Sequence, residues 1–228
     1  MKERFIITVD GPAGAGKTTI SKILADRLAY KYVDTGALYR GIAFAVQTKK
    51  ISPENDHDLE NLCSSLVMQF IQSAKGLRLL LNRSDITEKI RTPEISMLAS
   101  AVSARPVVRS YLLSTQRAMG REKGVVFEGR DMGTVVFPEA DVKFFLYASV
   151  KTRALRRYQE LSSKTSQTLA EVEKDMNRRD KNDISRSIAP LKPAQDAIKI
   201  DSTHISINDV VALMLGYIDG VGSVGIYT

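Results

Sequence analysis

The sequence predicts an α/β domain in which a parallel sheet is flanked by helices and interrupted by a small antiparallel insertion. Three observations predict it. Gly11-Pro12-Ala13-Gly14-Ala15-Gly16-Lys17-Thr18 satisfies G-x-x-x-x-G-K-[ST] in full, between the β-branched run Phe5-Ile6-Ile7-Thr8-Val9 and a stretch where Ile20, Ile23, Leu24 and Leu28 recur at helical spacing. Strand-like and helix-like runs then alternate, as parallel strands joined by crossover helices require. Between about 62 and 92 the pattern changes to short strands joined by tight turns.

The glycine loop comes first. A strand-to-helix turn of this kind gathers backbone N–H groups at the positive end of a helix dipole, a concave site for the inner phosphates of a nucleotide. Lys17 is expected to reach the outer phosphates and Thr18 a Mg2+ ion. Lys31-Tyr32-Val33-Asp34 reads as the second strand. It delivers Asp34-Thr35-Gly36 into a turn ahead of a helix bearing Leu38, Tyr39, Arg40, Ile42 and Val46. Ligands of such sheets bind beyond the carboxyl ends of the strands, so Asp34, Thr35 and Arg40 are expected to face the same crevice as Lys17. An Asp-Gly-type turn with a solvated arginine is the alternative.

Ser52-Pro53 opens a helix carrying Leu59, Leu62, Cys63 and Leu66, and the strands of the insertion follow at 67–72, 77–81 and 85–87. Thr92 caps and Pro93 starts the next helix, with Ile95, Leu98, Ala99 and Val102 on one face, until Arg105-Pro106 breaks it. Its successor carries Val108, Tyr111, Leu112, Thr115 and Met119 on its apolar side. Ser100 and Arg109 lie off both stripes, and spacing alone reads them as solvated.

Gly124-Val125-Val126-Phe127 is the third core strand, ending in the polar cluster Glu128-Gly129-Arg130-Asp131, where chemistry is expected in a parallel sheet. Glu128 stands where a carboxylate holding Mg2+ through water is expected, with a turn carboxylate of no metal role as the alternative. After a strand at 142–147, Ser149 caps a helix on which Arg153, Arg156 and Arg157 crowd together, favourably if phosphate lies against them. Residues 161–168 are Ser/Thr-rich. The thin stripe Leu169, Val172 and Met176 then leads into the charged run 178–186, and together these suggest a mobile flap. A last strand at 197–200, a terminal helix marked by Val210, Leu213, Met214 and Tyr217, and a Gly-rich tail at 220–228, expected to be disordered, complete the chain.

A chain of 228 residues accommodates one substantial core with room for a small insert. No segment is long and apolar enough to span a bilayer. The apolar run behind Met1-Lys2-Glu3-Arg4 is too short for a secretory signal, so a cytoplasmic location is expected. Cys63 is the single cysteine, which excludes an intramolecular disulfide and a multi-cysteine zinc site. The net charge is +7, and between Lys151 and Lys192 eleven basic residues face six acidic ones, mixed with aspartates rather than stacking aromatics. That favours a small polyanionic substrate over nucleic acid.

These residues describe a phosphotransferase with a P-loop and a small anionic acceptor, since phosphoryl transfer needs positioning and charge neutralisation more than a covalent nucleophile. A switch GTPase is disfavoured by the lack of an Asn-Lys-x-Asp stretch. Gly129-Arg130-Asp131 is not a protein-kinase catalytic loop, because no matching Asn follows and no G-x-G-x-x-G-x-V precedes it. A nucleic-acid-binding protein and a P-loop kinase for UMP or a hydroxy acid such as shikimate remain as alternatives.

Asp10-Gly-Pro-Ala-Gly-Ala-Gly-Lys17, Tyr32-Val-Asp-Thr-Gly-Ala-Leu-Tyr-Arg40, Gly129-Arg-Asp-Met-Gly-Thr-Val-Val-Phe-Pro138 and Arg186-Ser-Ile-Ala-Pro-Leu191, in that order, closely resemble the bacterial-type cytidylate kinases. The resemblance implies a P-loop NTPase core of five parallel strands flanked by helices (1–61, 93–150 and 187–219). It also implies a three-stranded antiparallel insert for the nucleoside monophosphate at about 62–92 and a flexible lid at about 151–186. The implied reaction is ATP with CMP or dCMP giving ADP with CDP or dCDP, assisted by Mg2+, with closure of lid and insert excluding water. A monomer with no nucleic-acid or membrane partner is expected.

By the same resemblance, ATP would meet Gly11, Pro12, Ala13, Gly14, Ala15, Gly16, Lys17, Thr18 and Thr19, with Arg157. The CMP phosphate would meet Thr35, Arg40 and Arg130, with Asp34 alongside. Ser100, Arg109 and Asp131 would read cytosine, which replaces the solvated reading of the first two. Arg179 and Asp183 would meet the sugar, and Arg186, with Arg179, the transferring phosphate. Lys17, Arg130, Arg179 and Arg186 would thus carry catalysis, with Thr18 on Mg2+ and Glu128 or Asp34 behind it through water. Asn182 and Ile184-Ser185 depart from the more charged pattern of the family, and Thr35 keeps the hydroxyl of the serine found in some relatives.

Overall fold

The computed structural model describes residues 4–73, 76–161 and 167–224. The chain forms two compact units. One comprises Met1–Val33, Met119–Ser185 and Ala189–Thr228, the other Asp34–Ala118 with Arg186–Ile188. Among the described residues no helix is long and apolar enough to cross a membrane.

The first unit is built on a five-stranded sheet. Its strands are β1 (Ile6–Asp10), β2 (Lys31–Asp34), β6 (Val125–Gly129), β7 (Val142–Tyr147) and β8 (Ile198–Asp201), in the order β2-β6-β1-β7-β8. β1 is central and parallel to both neighbours, with Ile7 opposite Val126 on one side and Val142 on the other. Ile7 and Val9 are fully buried, as the run of β-branched residues predicts for a strand covered on both faces. Helix α1 (Lys17–Leu28) lays Ile20 and Leu24 onto this sheet, and α8 (Ile207–Val224) lays Val210, Val211, Met214 and Ile218 into the same core.

The terminal helix expected from Val210, Leu213, Met214 and Tyr217 is present, with Val210 and Met214 buried and Leu213 and Tyr217 exposed, and one expectation for the tail is corrected. Residues 220–224, expected in a disordered tail, continue α8, while 225–228 lie outside the described residues.

A further difference concerns the flap. Helices α6 (Val150–Leu161) and α7 (Leu169–Ser185) pack on each other, and α7 runs unbroken through the charged stretch expected to be flexible. Its buried positions are Val172, Met176, Asp180 and Asp183, so the apolar stripe does not end at Met176. It continues as two aspartates at helical spacing. The Ser/Thr-rich residues 162–166 lie outside the described residues.

The second unit holds α2 (Thr35–Thr48), α3 (Asp56–Ser64), the antiparallel strands β3 (Met68–Ser73), β4 (Gly76–Leu81) and β5 (Ser84–Asp85), α4 (Pro93–Val102) and nearly all of α5 (Pro106–Met119). Thr92 caps α4 through the Ile95 amide, 3.2 Å away. Helix α3 starts at the cap Asn55, which accepts from the Asp58 amide, rather than at Ser52-Pro53. The unit is wider than the 62–92 insert expected. A Cβ on Gly41 of α2 would stand 3.0 Å from Met68 Sδ and 3.3 Å from Leu79, so the small sheet is pressed onto α2 and shares its core. Helices α2 to α5, expected in the core domain, therefore cluster with it.

Candidate active site

In the first unit the loop between β1 and α1 is shaped by its glycines. Gly16 is the N-cap of α1 with φ of +88°, a conformation that favours a residue without Cβ, and it leaves no side chain bonded to the first-turn amides. Gly11 lies so close to β7 that a Cβ would be 1.9 Å from the Leu146 carbonyl oxygen. The result is a helix N-terminus whose N–H groups face outward, suited to an anion.

Lys17 is buried, and its Nζ donates to the Pro12 carbonyl at 2.6 Å. Burial pulls its ammonium down to about 7, with Arg130 adding to the effect and Glu128 opposing it. Thr18 Oγ1 donates to Glu128 Oε1 at 2.9 Å, and the Tyr32 hydroxyl donates to Glu128 Oε2 at 2.6 Å. The carboxylate expected to serve a metal thus stands against the hydroxyl expected to bind it, held from α1 on one side and β2 on the other.

Asp10, at the end of β1, accepts from the amides of Met132 (3.0 Å) and Gly133 (2.8 Å). It thereby fixes the start of a single π-helical turn, Met132–Val136, immediately after Arg130 and Asp131. Burial raises Asp10 to about 6 against the pull of those amides. Arg130 Nε donates to Asp183 Oδ2 at 3.2 Å and its Nη1 to the Gly129 carbonyl, while Asp131 is buried. Arg179 lies on α7 immediately before Asp180 and four positions before Asp183.

The three crowded arginines of α6 do not form one phosphate-facing cluster. Arg153 is buried, donating to Asp180 Oδ2 (2.6 Å), the Ala13 carbonyl of the glycine loop (3.0 Å) and the Ala148 carbonyl (2.9 Å). Arg156 is bonded to Ser202, and Arg157 pairs with Glu160. Like charges are accommodated here because each guanidinium turns to a different partner.

In the second unit Asp34 caps α2 through the Ala37 amide and accepts from Arg40 Nη2 at 2.6 Å. Burial alone would raise Asp34, but the Arg40 charge and the Ala37 amide hold it below the usual carboxylate range. Asp34 is thus engaged by a cation and a main-chain amide, Glu128 by two hydroxyls. Thr35, Ser100 and Arg109 are all buried, which overturns the solvated reading of the last two. The Arg109 guanidinium lies 5.6 Å from the centre of the Tyr39 ring, and its Nη1 donates to the Ser103 carbonyl at 3.2 Å. Arg186 Nη1 donates to Ser103 Oγ at 3.1 Å. Asp180 and Ser103 were not singled out from sequence, Asp10 appeared only as the first residue of the glycine-loop motif, and Arg153 was expected to face phosphate rather than Asp180. The position of Asp10 at a strand end and of Asp180 at i+4 from Met176 were the available signals.

A family model described as cytidylate kinase matches residues 7–220. The chain belongs to the cytidylate kinase family. It is 52% identical over 211 residues to a cytidylate kinase of Geobacter sulfurreducens, covering 92% of this chain and 91% of that one. It is also 40% identical to a cytidylate kinase of Halalkalibacterium halodurans, covering 95% and 98%. Among solved structures it resembles an uncharacterized protein from Eubacterium ventriosum, with a TM-score of 0.55 at 13% identity, covering 95% of this chain and 99% of that one. It also resembles a gluconokinase from Sinorhizobium meliloti, with a TM-score of 0.51 at 12% identity, covering 99% and 98%. These distant likenesses concern the fold.

Proposed function

We propose that the protein transfers the γ-phosphoryl group of ATP to CMP and dCMP, giving ADP with CDP or dCDP. The observation that carries this reading is the near-full-length likeness to proteins named cytidylate kinase. Lys17 and the main-chain amides of the loop from Gly11 to Thr19, Pro12 lending only its shape, hold the ATP phosphates, with Arg157 at their edge. Thr35, Arg40 and Arg130 hold the CMP phosphate. Ser100, Arg109 and Asp131 read cytosine: an arginine and a carboxylate together present donors and acceptors to a ring with adjacent acceptor and amino groups. Asp183 accepts from the sugar hydroxyls, and Arg179 and Arg186 meet the phosphate in transfer.

A CMP phosphate oxygen attacks the γ-phosphorus in line, the bond to the β-bridging oxygen breaks, and ADP leaves. No strong base is needed, and arginines aimed at the developing charge lower the barrier by several kcal/mol. Thr18 and Glu128 are hard oxygen donors side by side, the set that Mg2+ takes together with phosphates and water. Thr18 would hold the ion and Glu128 its water, and the ion would supply neutralisation of phosphate charge.

The test is ADP formation from Mg·ATP with AMP, CMP, dCMP, GMP, UMP and shikimate offered separately, beside a control without acceptor and the variant Lys17→Ala. Turnover with CMP and dCMP, lost in the variant, is expected. Turnover confined to another acceptor would overturn the cytosine assignments and leave the phosphate loop standing.

A further inference from the structure

Ser103 ends helix α4, is 6% exposed, and sits between Ser100 and Arg109 in the chain. Its hydroxyl donates to the Ser100 carbonyl at 2.8 Å, an ordinary bond at a helix C-terminus. A hydroxyl with its single proton so placed has only lone pairs left to offer, and Arg186 Nη1 donates to them at 3.1 Å from 83 positions away. The main-chain carbonyl of the same residue accepts from Arg109 Nη1 at 3.2 Å. Closing a helix does not require either arginine.

The short segment Arg186–Ile188 clusters with this unit although the chain on both sides of it belongs to the other. The bond to Ser103 is a specific anchor for that excursion. Bonds made through one residue polarise one another, and a displacement of Ser103 moves both guanidinium groups at once.

We propose that Ser103 is a positioning residue that ties the main chain at Ser100 and the guanidinium of Arg109, the two residues of this unit that read the acceptor base, to Arg186 at the transferring phosphate. The proposal rests on the cytidylate kinase reading above. Base recognition is thereby communicated to a catalytic arginine through one hydroxyl and one carbonyl. Ser103 touches no substrate. Its effect passes through Arg186, and so it bears on kcat more than on CMP affinity.

The experiment is a double-mutant cycle on the full chain, with kcat and KM for CMP measured in wild type, Ser103→Ala, Arg186→Ala and the double variant. Ser103→Thr, the CMP dissociation constant from calorimetry and the melting temperature are added for each. Losing a hydrogen bond to a charged group predicts a fall in kcat of about ten- to a hundredfold in Ser103→Ala. CMP affinity should stay within about threefold, and Thr should restore most of the rate. In the Arg186→Ala background the same substitution should change kcat by less than about twofold. Equal losses in both backgrounds, or a loss of affinity and melting temperature in step with kcat, would overturn the proposal and make Ser103 a helix terminus only. If wild type does not phosphorylate CMP, the functional reading fails first and takes this inference with it. If wild type is active and the cycle is additive, the inference alone fails.

Discussion

Replacing Arg153 with methionine isolates a buried and heavily bonded charge of the first unit. The wild-type guanidinium makes a 2.6 Å bond to Asp180 and bonds to the Ala13 and Ala148 carbonyls, with side-chain exposures of 5% for Arg153 and 11% for Asp180. Among the described residues Asp180 Oδ1 is buried without a hydrogen-bond partner, and removing the arginine also strips the carboxylate of its 2.6 Å ion pair. Breaking a buried pair from one side costs about 3–5 kcal/mol, whereas replacing both members with apolar residues is often close to neutral. For a chain of this size that loss is a drop in melting temperature of about 6–20 °C. Differential scanning calorimetry and urea unfolding of Arg153→Met, and of Arg153→Met with Asp180→Leu, measure it. The double variant should recover at least half of the loss. A single variant within about 1 kcal/mol of wild type, or a double variant no better than the single, would refute the assignment of an uncompensated buried charge.

Burial raises the Asp10 carboxyl from 3.8 to about 6, so the folded chain keeps a proton there that the unfolded chain has released. That stabilisation is fully present below about pH 3.8 and is lost as pH rises through about 6. The unfolding free energy of wild type relative to Asp10→Asn should therefore fall by roughly 2 kcal/mol between pH 4 and pH 7. A flat difference across that window would show that Asp10 titrates normally. Glu128→Gln should raise the Mg2+ concentration for half-maximal ADP formation by about 10- to 100-fold while moving the metal-free melting temperature little. An unchanged Mg2+ dependence would remove Glu128 from the cation site.

The strands and the glycine loop were legible because their signals are local: β-branched runs for β1 and β6, the apolar run Phe144-Phe145-Leu146 in β7, and a motif whose spacing sets its own backbone. The buried face of α7 was not. Asp180 and Asp183 look like solvent-facing residues in any hydropathy pattern. They are inside because Arg153 and Arg130, distant in sequence, meet them. Ser100 and Arg109 show the same limit, since burial of a polar side chain depends on partners that periodicity does not see. Likeness to a family supplied their roles where spacing pointed the other way.

The two aspartates of α7 are three positions apart on one continuous helix, so their attachment points are spaced by about 4.5 Å along its axis. Each is paired with an arginine rooted in a different element, Arg153 on α6 and Arg130 just beyond β6. A slide of α7 by even one residue would part both pairs together, and no intermediate offset would satisfy either. The helix is therefore pinned at two points like a hinged bar rather than tethered like a spring. Its displacements should come as discrete, all-or-none steps, with Arg179 carried along at a fixed setting whenever both pins are in place.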